Sequence, residues 1–200
     1  MSDLIQGTEE WKAARAGCVT ASRIHAVRMK ESTAGYRNYF AQLVVERLTG
    51  KSADDTYQSK AMERGLELEA EARVAYEFLT GTPVKETGFV RHPDIEWSGA
   101  SPDGLVNEDG LVQVKCPNAA NHLNLWLGAD LDPEYWEQCQ WEMECSGRDW
   151  NDYVSYHPDF PDHLRLYLKH IERDEKWLAE TRILVAEFSE KVAETVRKLA

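Results

Sequence analysis

Apolar residues repeat along this chain in two ways, and each repeat predicts a different element. Near both ends they recur every three or four positions, which is typical of a helix with one buried face. Between Pro83 and Pro117 they form short runs separated by turns, which indicates three strands. The predicted buried faces of the two clearest helices are Tyr36, Phe40, Leu43, Val44 and Leu48 in the first, and Trp177, Leu184, Val185, Phe188, Val192 and Val196 in the second.

Capping residues place the ends of several helices. Thr8 is a candidate N-cap for a short helix that ends before Gly17, and Thr20 is a candidate N-cap for the next. Asp132 at the N-cap and Gly147 at the other end bound a helix that begins with Pro133. A further helix of strong helix formers over 61–80 precedes the strands and ends at Gly81.

Two more strands follow near 151–158 and 163–171, before the final helix. Helices that flank a central mixed sheet define an α/β (α+β) chain. No repeat or linker interrupts residues 1–200, and that length suits one core. We therefore expect a single domain with one active site.

Composition agrees with a globular protein and raises one difficulty. Apolar residues make up 42% and charged residues 29%, and no signal or membrane segment is evident, so the cytoplasm is the expected location. Four cysteines without a paired spacing argue against a zinc or iron–sulfur site. The formal charge of −12 opposes binding to nucleic acid, because phosphate contacts depend on lysine and arginine.

The stretch SPDGLVNEDGLVQVKCP, residues 101–117, predicts a β-hairpin. A type I turn at Glu108 and Asp109, with Gly110 in the left-handed region, gives a three-residue loop. Asp103 would then lie opposite Lys115, and Leu105 opposite Gln113. Because side chains alternate along a strand, Asp103, Gln113 and Lys115 are predicted to share one face.

That face suits hydrolysis of a phosphodiester. Asp103 and an acid at position 113 could hold a hard cation such as Mg²⁺, which polarises the phosphate and acidifies a bound water. Lys115 could orient the attacking water and stabilise the developing charge. Position 113 is a glutamine, however, where this chemistry favours a carboxylate. A hairpin with an exposed Asp and Lys is also common without any catalytic role.

The chain resembles the lambda-type (YqaJ-like) phage recombination exonucleases of the PD-(D/E)xK nuclease superfamily. The resemblance covers roughly residues 10 to 180 and rests on segments that occur in the same order as in that family. Those segments are WKAARAGCVTAS, RGLELEAEARVAYEF, GASPDGLV, LVQVKCP, EYWEQCQWEM and IERDEKW.

The resemblance implies a Mg²⁺-dependent exonuclease, with Mn²⁺ as a possible substitute. Such an enzyme digests linear duplex DNA from a 5′ end, releases mononucleotides and leaves a 3′ single strand for a phage annealing protein. It also implies a homotrimeric ring with DNA in a central channel, in a bacterial host. A basic channel inside an acidic exterior would reconcile the net charge with DNA binding.

Site residues are carried over from the same motifs. Asp103, Gln113 at the position of the usual glutamate, and the Val114 carbonyl resemble the metal ligands. Lys115 and Glu69 resemble the catalytic lysine and the helical glutamate. The resemblance also assigns Arg15, Ser22 and Ser101 to a 5′-phosphate pocket, which suits a guanidinium and a helix start. Tyr135 and Gln138, three apart on one helical face, and Arg28 and Lys30 are candidate DNA contacts.

Three interpretations of the chain stay open, and Gln113 bears on the first two. Gln113 has nearly the shape of glutamate and keeps one carbonyl oxygen for a metal, but it lacks the charge. We therefore expect this sequence to bind DNA ends and, weakly, a cation, and to cleave very slowly or not at all. We interpret it as an inactivated Glu-to-Gln form of the nuclease. The alternative is a DNA-end-binding protein without catalysis on a nuclease scaffold, and a third possibility is another branch of the superfamily, iron–sulfur or RecB-like.

Overall fold

A computed structural model of the chain describes residues 4–52 and 60–200. Within these ranges the chain forms α-helices and short strands, with helices at both ends. The α-helices are α1 (Glu9–Arg15), α2 (Ile24–Arg28), α3 (Ala34–Thr49), α4 (Lys60–Thr80), α5 (Ala119–Trp126), α6 (Pro133–Ser146) and α7 (Glu175–Leu199).

The strands form two sheets. They are β1 (Val19–Thr20), β2 (Val84–Lys85), β3 (Val90–Arg91), β4 (Ser98–Ala100), β5 (Gly104–Val106), β6 (Gly110–Lys115), β7 (Trp150–Tyr156) and β8 (Leu166–Glu172). The larger sheet has the order β2-β5-β6-β7-β8, in which only β6 and β7 are parallel. The smaller sheet has the order β1-β4-β3. The predicted mixed sheet flanked by helices is confirmed.

The capping residues explain why several helices begin and end where they do. The side chains of Thr8 and Asp132 accept hydrogen bonds from backbone N–H groups of α1 and α6, as predicted. Gly50 and Gly147 end α3 and α6 in the left-handed conformation. Thr20 is different, because its side chain makes no capping bond and a 3₁₀ turn over Ala21–Arg23 separates it from α2.

Three strands were expected between Pro83 and Pro117, and that number is wrong: the structure has five. The apolar runs are divided because β3 and β4 join β1 in the smaller sheet, whereas β2, β5 and β6 join the larger one. The short helix α5 was not predicted at all. Sequence periodicity cannot assign strands of two or three residues to separate sheets.

The helices α3 and α7 pack through aromatic rings. Phe188 of α7 meets the rings of Tyr36 and Tyr39, with centroid distances of 5.0 and 5.8 Å. Val185 and Val192 are buried beside Phe188, as predicted. Leu48 and Leu184 were expected in this core, but they are 42% and 37% exposed because they lie at its edge.

Across the described ranges, no helix combines the length and the apolar character needed to cross a membrane.

Candidate active site

The hairpin between β5 and β6 places the first candidate residues. Its pairs are Gly104 with Val112, Leu105 with Leu111, and Val106 with Gly110. The predicted register, with Leu105 opposite Gln113, is therefore wrong by two residues. The loop is Asn107–Asp109, and Asn107 rather than Gly110 has a positive φ, of 50°.

Two residues distant in sequence fix this register. Nη1 of Arg148 donates to the carbonyl oxygens of Val106, Asn107 and Gly110 at 3.2, 3.0 and 2.6 Å. The ring of Trp150 lies against Gly110, where a Cβ atom would come within 2.0 Å of it. The glycine is thus required by close approach of an indole, not by a left-handed backbone.

The predicted convergence survives the register error. Continuing the observed pairing by one residue sets Asp103 opposite Gln113 instead of Lys115. Because side chains alternate with a period of two, a shift of two leaves every residue on its predicted face. The structure accordingly brings Asp103 into direct contact with Gln113.

Asp103 is a buried carboxylate held by two N–H donors. Oδ2 accepts from the backbone N–H of Val114 at 2.7 Å and from Nε2 of Gln113. Burial raises the pKa of Asp103, while the charge of Lys115 and the Val114 bond oppose that rise. The site therefore has a carboxylate whose charge is costly without a further positive partner.

From Gln113 a chain of buried polar side chains continues to α6 and β7. Nε2 of Gln138 donates to Oε1 of Gln113 at 3.0 Å and to Oε1 of Glu142 at 2.7 Å. Nδ2 of Asn151 donates to Oε2 of Glu142 at 2.9 Å. Burial, followed by the negative charge of Asp103, raises the pKa of Glu142 to about 8.

Glu69 of α4 lies on the other side of Asp103. Its carboxylate forms an ion pair with Arg73 at 3.0 Å, and Nη1 of Arg73 also donates to the Asp103 carbonyl at 3.3 Å. The other end of the guanidinium pairs with Glu86 at 2.7 Å. Burial, and then the charge of Asp103, raises the pKa of Glu69 to about 7. Two acids with raised pKa values thus approach each other beside β5.

Lys115 points toward α6. Its Nζ lies 5.4 Å from the ring centroid of Tyr135, and this ring stacks on Tyr153 at 5.7 Å. Tyr135 and Gln138 therefore share a helical face, as their spacing predicted, and this face looks toward the hairpin, as the resemblance implied. Nε2 of Gln138 already donates hydrogen bonds to the side chains of Gln113 and Glu142.

The phosphate-pocket candidates are linked to the same strand region. Arg15 and Ser22 both line a cavity of about 100 Å³. The guanidinium of Arg15 lies 4.0 Å from the ring centroid of Trp11, and Nε1 of Trp11 donates to Oγ of Ser101 at 3.1 Å. Ser101 is two residues from Asp103, so one series of contacts joins the cavity to the hairpin.

The two remaining DNA-contact candidates differ in environment. Arg28 is half-buried, with Nη1 donating to Oγ1 of Thr181 at 2.5 Å and the guanidinium 4.7 Å from the ring centroid of Trp177. Lys30 is exposed at the end of the same segment. The structure does not bring either residue into contact with Asp103, Gln113 or Lys115.

The donor atoms around Asp103 do not match the cation that the resemblance implies. Nε2 of Gln113 contacts Oδ2 of Asp103 and lies 3.4 Å from the Val114 carbonyl oxygen, so it stands between two of the predicted ligands. The third, Oε1 of Gln113, faces Gln138. In the described parts of the chain, no three His, Cys, Asp or Glu residues are grouped for a metal. As it stands, this arrangement does not fit a cation.

Sequence reasoning missed four residues of the site: Trp11, Arg73, Glu142 and Asn151. Glu142 carries a signal that helical spacing could have found, because it lies four residues after Gln138 and seven after Tyr135. Arg73 and Trp11 carry the same kind of signal, because they lie four residues from the candidates Glu69 and Arg15 on α4 and α1. Asn151 offers none, since its role depends on a contact between separate elements.

The mixed sheet flanked by helices, with Asp103 and Lys115 on one hairpin, has the architecture of the PD-(D/E)xK nucleases. The chain belongs to the YqaJ-like viral recombinase domain family, whose sequence profile matches residues 10–149. This confirms the predicted family and supports the prediction that the chain is a deoxyribonuclease. Among curated proteins, no sequence matches it.

Solved structures give the same classification. The chain is similar to an alkaline exonuclease (LHK-Exo) from Laribacter hongkongensis, with 42% identity over 96% of each chain and a TM-score of 0.90. The complex of LHK-Exo with dAMP matches equally well. A phage-related exonuclease from Haemophilus somnus 129PT is 16% identical over 92% of this chain and 96% of its own, with a TM-score of 0.69. That last likeness shows the fold alone.

Proposed function

We propose that this single domain is the scaffold of a Mg²⁺-dependent 5′-to-3′ exonuclease that acts on linear double-stranded DNA. It would release mononucleotides and leave 3′ single strands for strand annealing. The observation that carries the proposal is the convergence of Asp103, Gln113 and Lys115 on one hairpin face. The binding of dAMP by LHK-Exo supports a mononucleotide as product.

Different residues of the site would act on the reacting phosphate, on the attacking water and on the cation. Lys115 orients the attacking water and stabilises charge that develops on phosphorus. Glu69 is a candidate to hold that water, because its raised pKa suits proton transfer near neutral pH. In a form with glutamate at 113, Asp103, that glutamate and the Val114 carbonyl would hold the cation, which supplies charge neutralisation at the phosphate.

Recognition of the 5′ end is assigned to Arg15, Ser22 and Ser101. A guanidinium pairs with two phosphate oxygens at once, and the cavity that Arg15 and Ser22 line is small and polar. The Trp11 contacts connect this cavity to the strand that leads to Asp103. We further propose that Tyr135 and Gln138 face the nucleotide, and that Arg28 and Lys30 contact the duplex.

The chain as written is proposed to bind DNA ends and to cleave very slowly, because Gln113 cannot supply the second carboxylate. The test is Gln113→Glu, assayed with Mg²⁺ or Mn²⁺ on linear duplex that carries a 5′-phosphate. We expect a gain of about a hundredfold in nucleotide release, the usual scale for one electrostatic group in an active site.

Three controls make that assay specific. Adding Asp103→Asn to the Gln113→Glu variant should abolish the gain. A 5′-hydroxyl duplex should be degraded more slowly than the 5′-phosphorylated one, and single strands should be poor substrates. If the Gln113→Glu variant folds but remains inactive, the enzyme reading fails and the DNA-end-binding alternative takes its place.

We also propose a homotrimeric ring, a phage single-strand annealing protein as partner, and the bacterial cytoplasm as location. An apolar face on α4 supports contact between copies: Phe78 is 93% exposed, and Val74 and Leu79 are also exposed. A face of this kind on a protein of charge −12 is unusual without a partner. Light scattering should give three times the mass of 22.9 kDa. A monomer would contradict the ring, and Phe78→Ser should weaken the trimer.

A further inference from the structure

The side-chain amide of Gln113 has only one orientation that satisfies its neighbours. On one side are the Asp103 carboxylate oxygen and the Val114 carbonyl oxygen, both of which only accept hydrogen bonds. On the other side is Nε2 of Gln138, which only donates. Exchanging the nitrogen and oxygen of Gln113 would set oxygen against oxygen on one side and nitrogen against nitrogen on the other.

Gln138 is oriented in turn by Glu142. Nε2 of Gln138 donates to Oε1 of Glu142 at 2.7 Å, and Asn151 donates to the other carboxylate oxygen at 2.9 Å. Glu142 and Asn151 are fully buried, and Gln138 nearly so. Oε1 of Glu142 and Oε1 of Gln113 accept from the same nitrogen, so both contacts require Gln138 to present its Nε2 between α6 and the hairpin.

We propose that the amide of Gln113 takes the cation's place in this chain, and that Glu142, acting through Gln138, is the positioning residue that holds it there. Nε2 of Gln113 lies between the Asp103 and Val114 oxygens that were predicted as ligands. It donates hydrogen bonds to them where a cation would supply positive charge. The inference rests on the proposed nuclease site. Its consequence is a site that is complete without a metal and closed to one.

The first test measures cation binding without DNA. Electron paramagnetic resonance of free Mn²⁺ should show at least about tenfold weaker binding to the chain as written than to Gln113→Glu. In EDTA, Gln113→Glu should unfold about 5 °C below the chain as written, because two carboxylates then face each other, and Mn²⁺ should restore its stability. Equal Mn²⁺ affinity of the two proteins would overturn the proposal.

The matched control is Gln140→Glu. Gln140 is also a fully buried glutamine of α6, but it bonds to the Glu172 carbonyl and the Asp174 N–H. A carboxylate there should reduce stability without creating a response to Mn²⁺. If Gln140→Glu gains the same Mn²⁺ response, added charge alone explains the effect and the proposal is wrong.

The second test examines the role of Glu142 in the chain as written. Side-chain amide signals of ¹⁵N-glutamine-labelled protein can be assigned by their loss in Gln113→Glu and Gln138→Glu. We expect the Gln113 signals to stay in place when Mg²⁺ is added, and to shift in Glu142→Gln, where Gln138 can turn either way. Signals of Gln113 that move with Mg²⁺ would overturn the amide bridge.

If the Gln138 signals shift in Glu142→Gln but the Gln113 signals do not, Glu142 does not position Gln113, and that part of the proposal is overturned. None of these measurements contains DNA, so they separate this inference from the nuclease proposal. A Gln113→Glu variant that binds Mn²⁺ but releases no nucleotides leaves the inference standing and removes the proposed activity.

Discussion

Two glutamates on α6, two residues apart, are buried in opposite electrical surroundings. Glu142 is fully buried, its carboxyl group is bonded to the neutral amides of Gln138 and Asn151, and its pKa rises to about 8. Glu144 is 7% exposed and meets Arg173 and Arg182. Burial would raise the pKa of Glu144 too, but its bonds with Arg182, His92 and Arg173 lower it well below the usual range.

The difference shows how one helix serves two purposes. Glu144 ties α6 to the beginning of α7 through charges of opposite sign, which stabilises the fold. The carboxyl group of Glu142 bonds to amides and not to cations, the charge of Lys115 offsets only part of its burial, and its contacts lead to Gln113 and Asp103. Burial alone therefore does not decide what an ionisable residue does; the kind of partner it meets decides.

Breaking the Glu144 cluster should have the largest effect. Glu144→Ala leaves Arg173 and Arg182 partly buried and, among the ion pairs of the described residues, keeps those with the exposed Glu175, so the free energy of unfolding should fall by about 3 kcal/mol. Urea denaturation followed by tryptophan fluorescence measures this. A loss below about 1 kcal/mol would show that the cluster acts as an ordinary surface ion pair.

The second prediction concerns the pH dependence of Glu142. The folded protein keeps this proton up to about pH 8, whereas the unfolded chain releases it near the usual value of 4.5. The free energy of unfolding should therefore fall as pH rises from about 4.5 to about 8, and Glu142→Gln should remove this part of the fall, which is on the order of a few kcal/mol.

Comparison of the two proteins at each pH isolates Glu142, because Asp103 and Glu69 titrate in both. Denaturation curves at pH 5 and pH 8 suffice. If the difference in stability between them is the same at both pH values, Glu142 does not titrate in this range.

The smallest effect is expected at the exposed edge of the Glu144 cluster. Glu175 pairs with both arginines, yet its side chain is largely exposed. Glu175→Gln should cost about 0.5 kcal/mol, and the cost should shrink in high salt because exposed pairs are screened. A loss as large as that of Glu144→Ala would place the centre of the cluster at Glu175 instead.

The parts of the fold that the sequence predicted well depend on local rules. The caps at Thr8 and Asp132 and the helix ends at Gly50 and Gly147 follow from contacts within one turn of a helix. The predicted register of the hairpin was wrong because Arg148 and Trp150, about 40 residues away, fix the actual one. No local rule contains that information.

The candidate site likewise has features that local rules predicted and contacts that they did not. The shared face of Asp103 and Gln113 followed from alternation within a hairpin, and that of Tyr135 and Gln138 from helical spacing. The bonds that join Gln113 to Gln138, and Gln138 to Glu142, were not predicted. They depend on how α6 lies relative to β6, which only the folded chain specifies.

The alternation of the hairpin also limits how this chain can change in length. One residue inserted between Asp103 and the loop would turn the aspartate to the opposite side of the sheet. Two inserted residues would restore its side but move it by one pleat repeat, about 7 Å, away from Gln113. The segment can therefore accept point substitutions far more readily than insertions, and its length is as much a part of the site as its side chains.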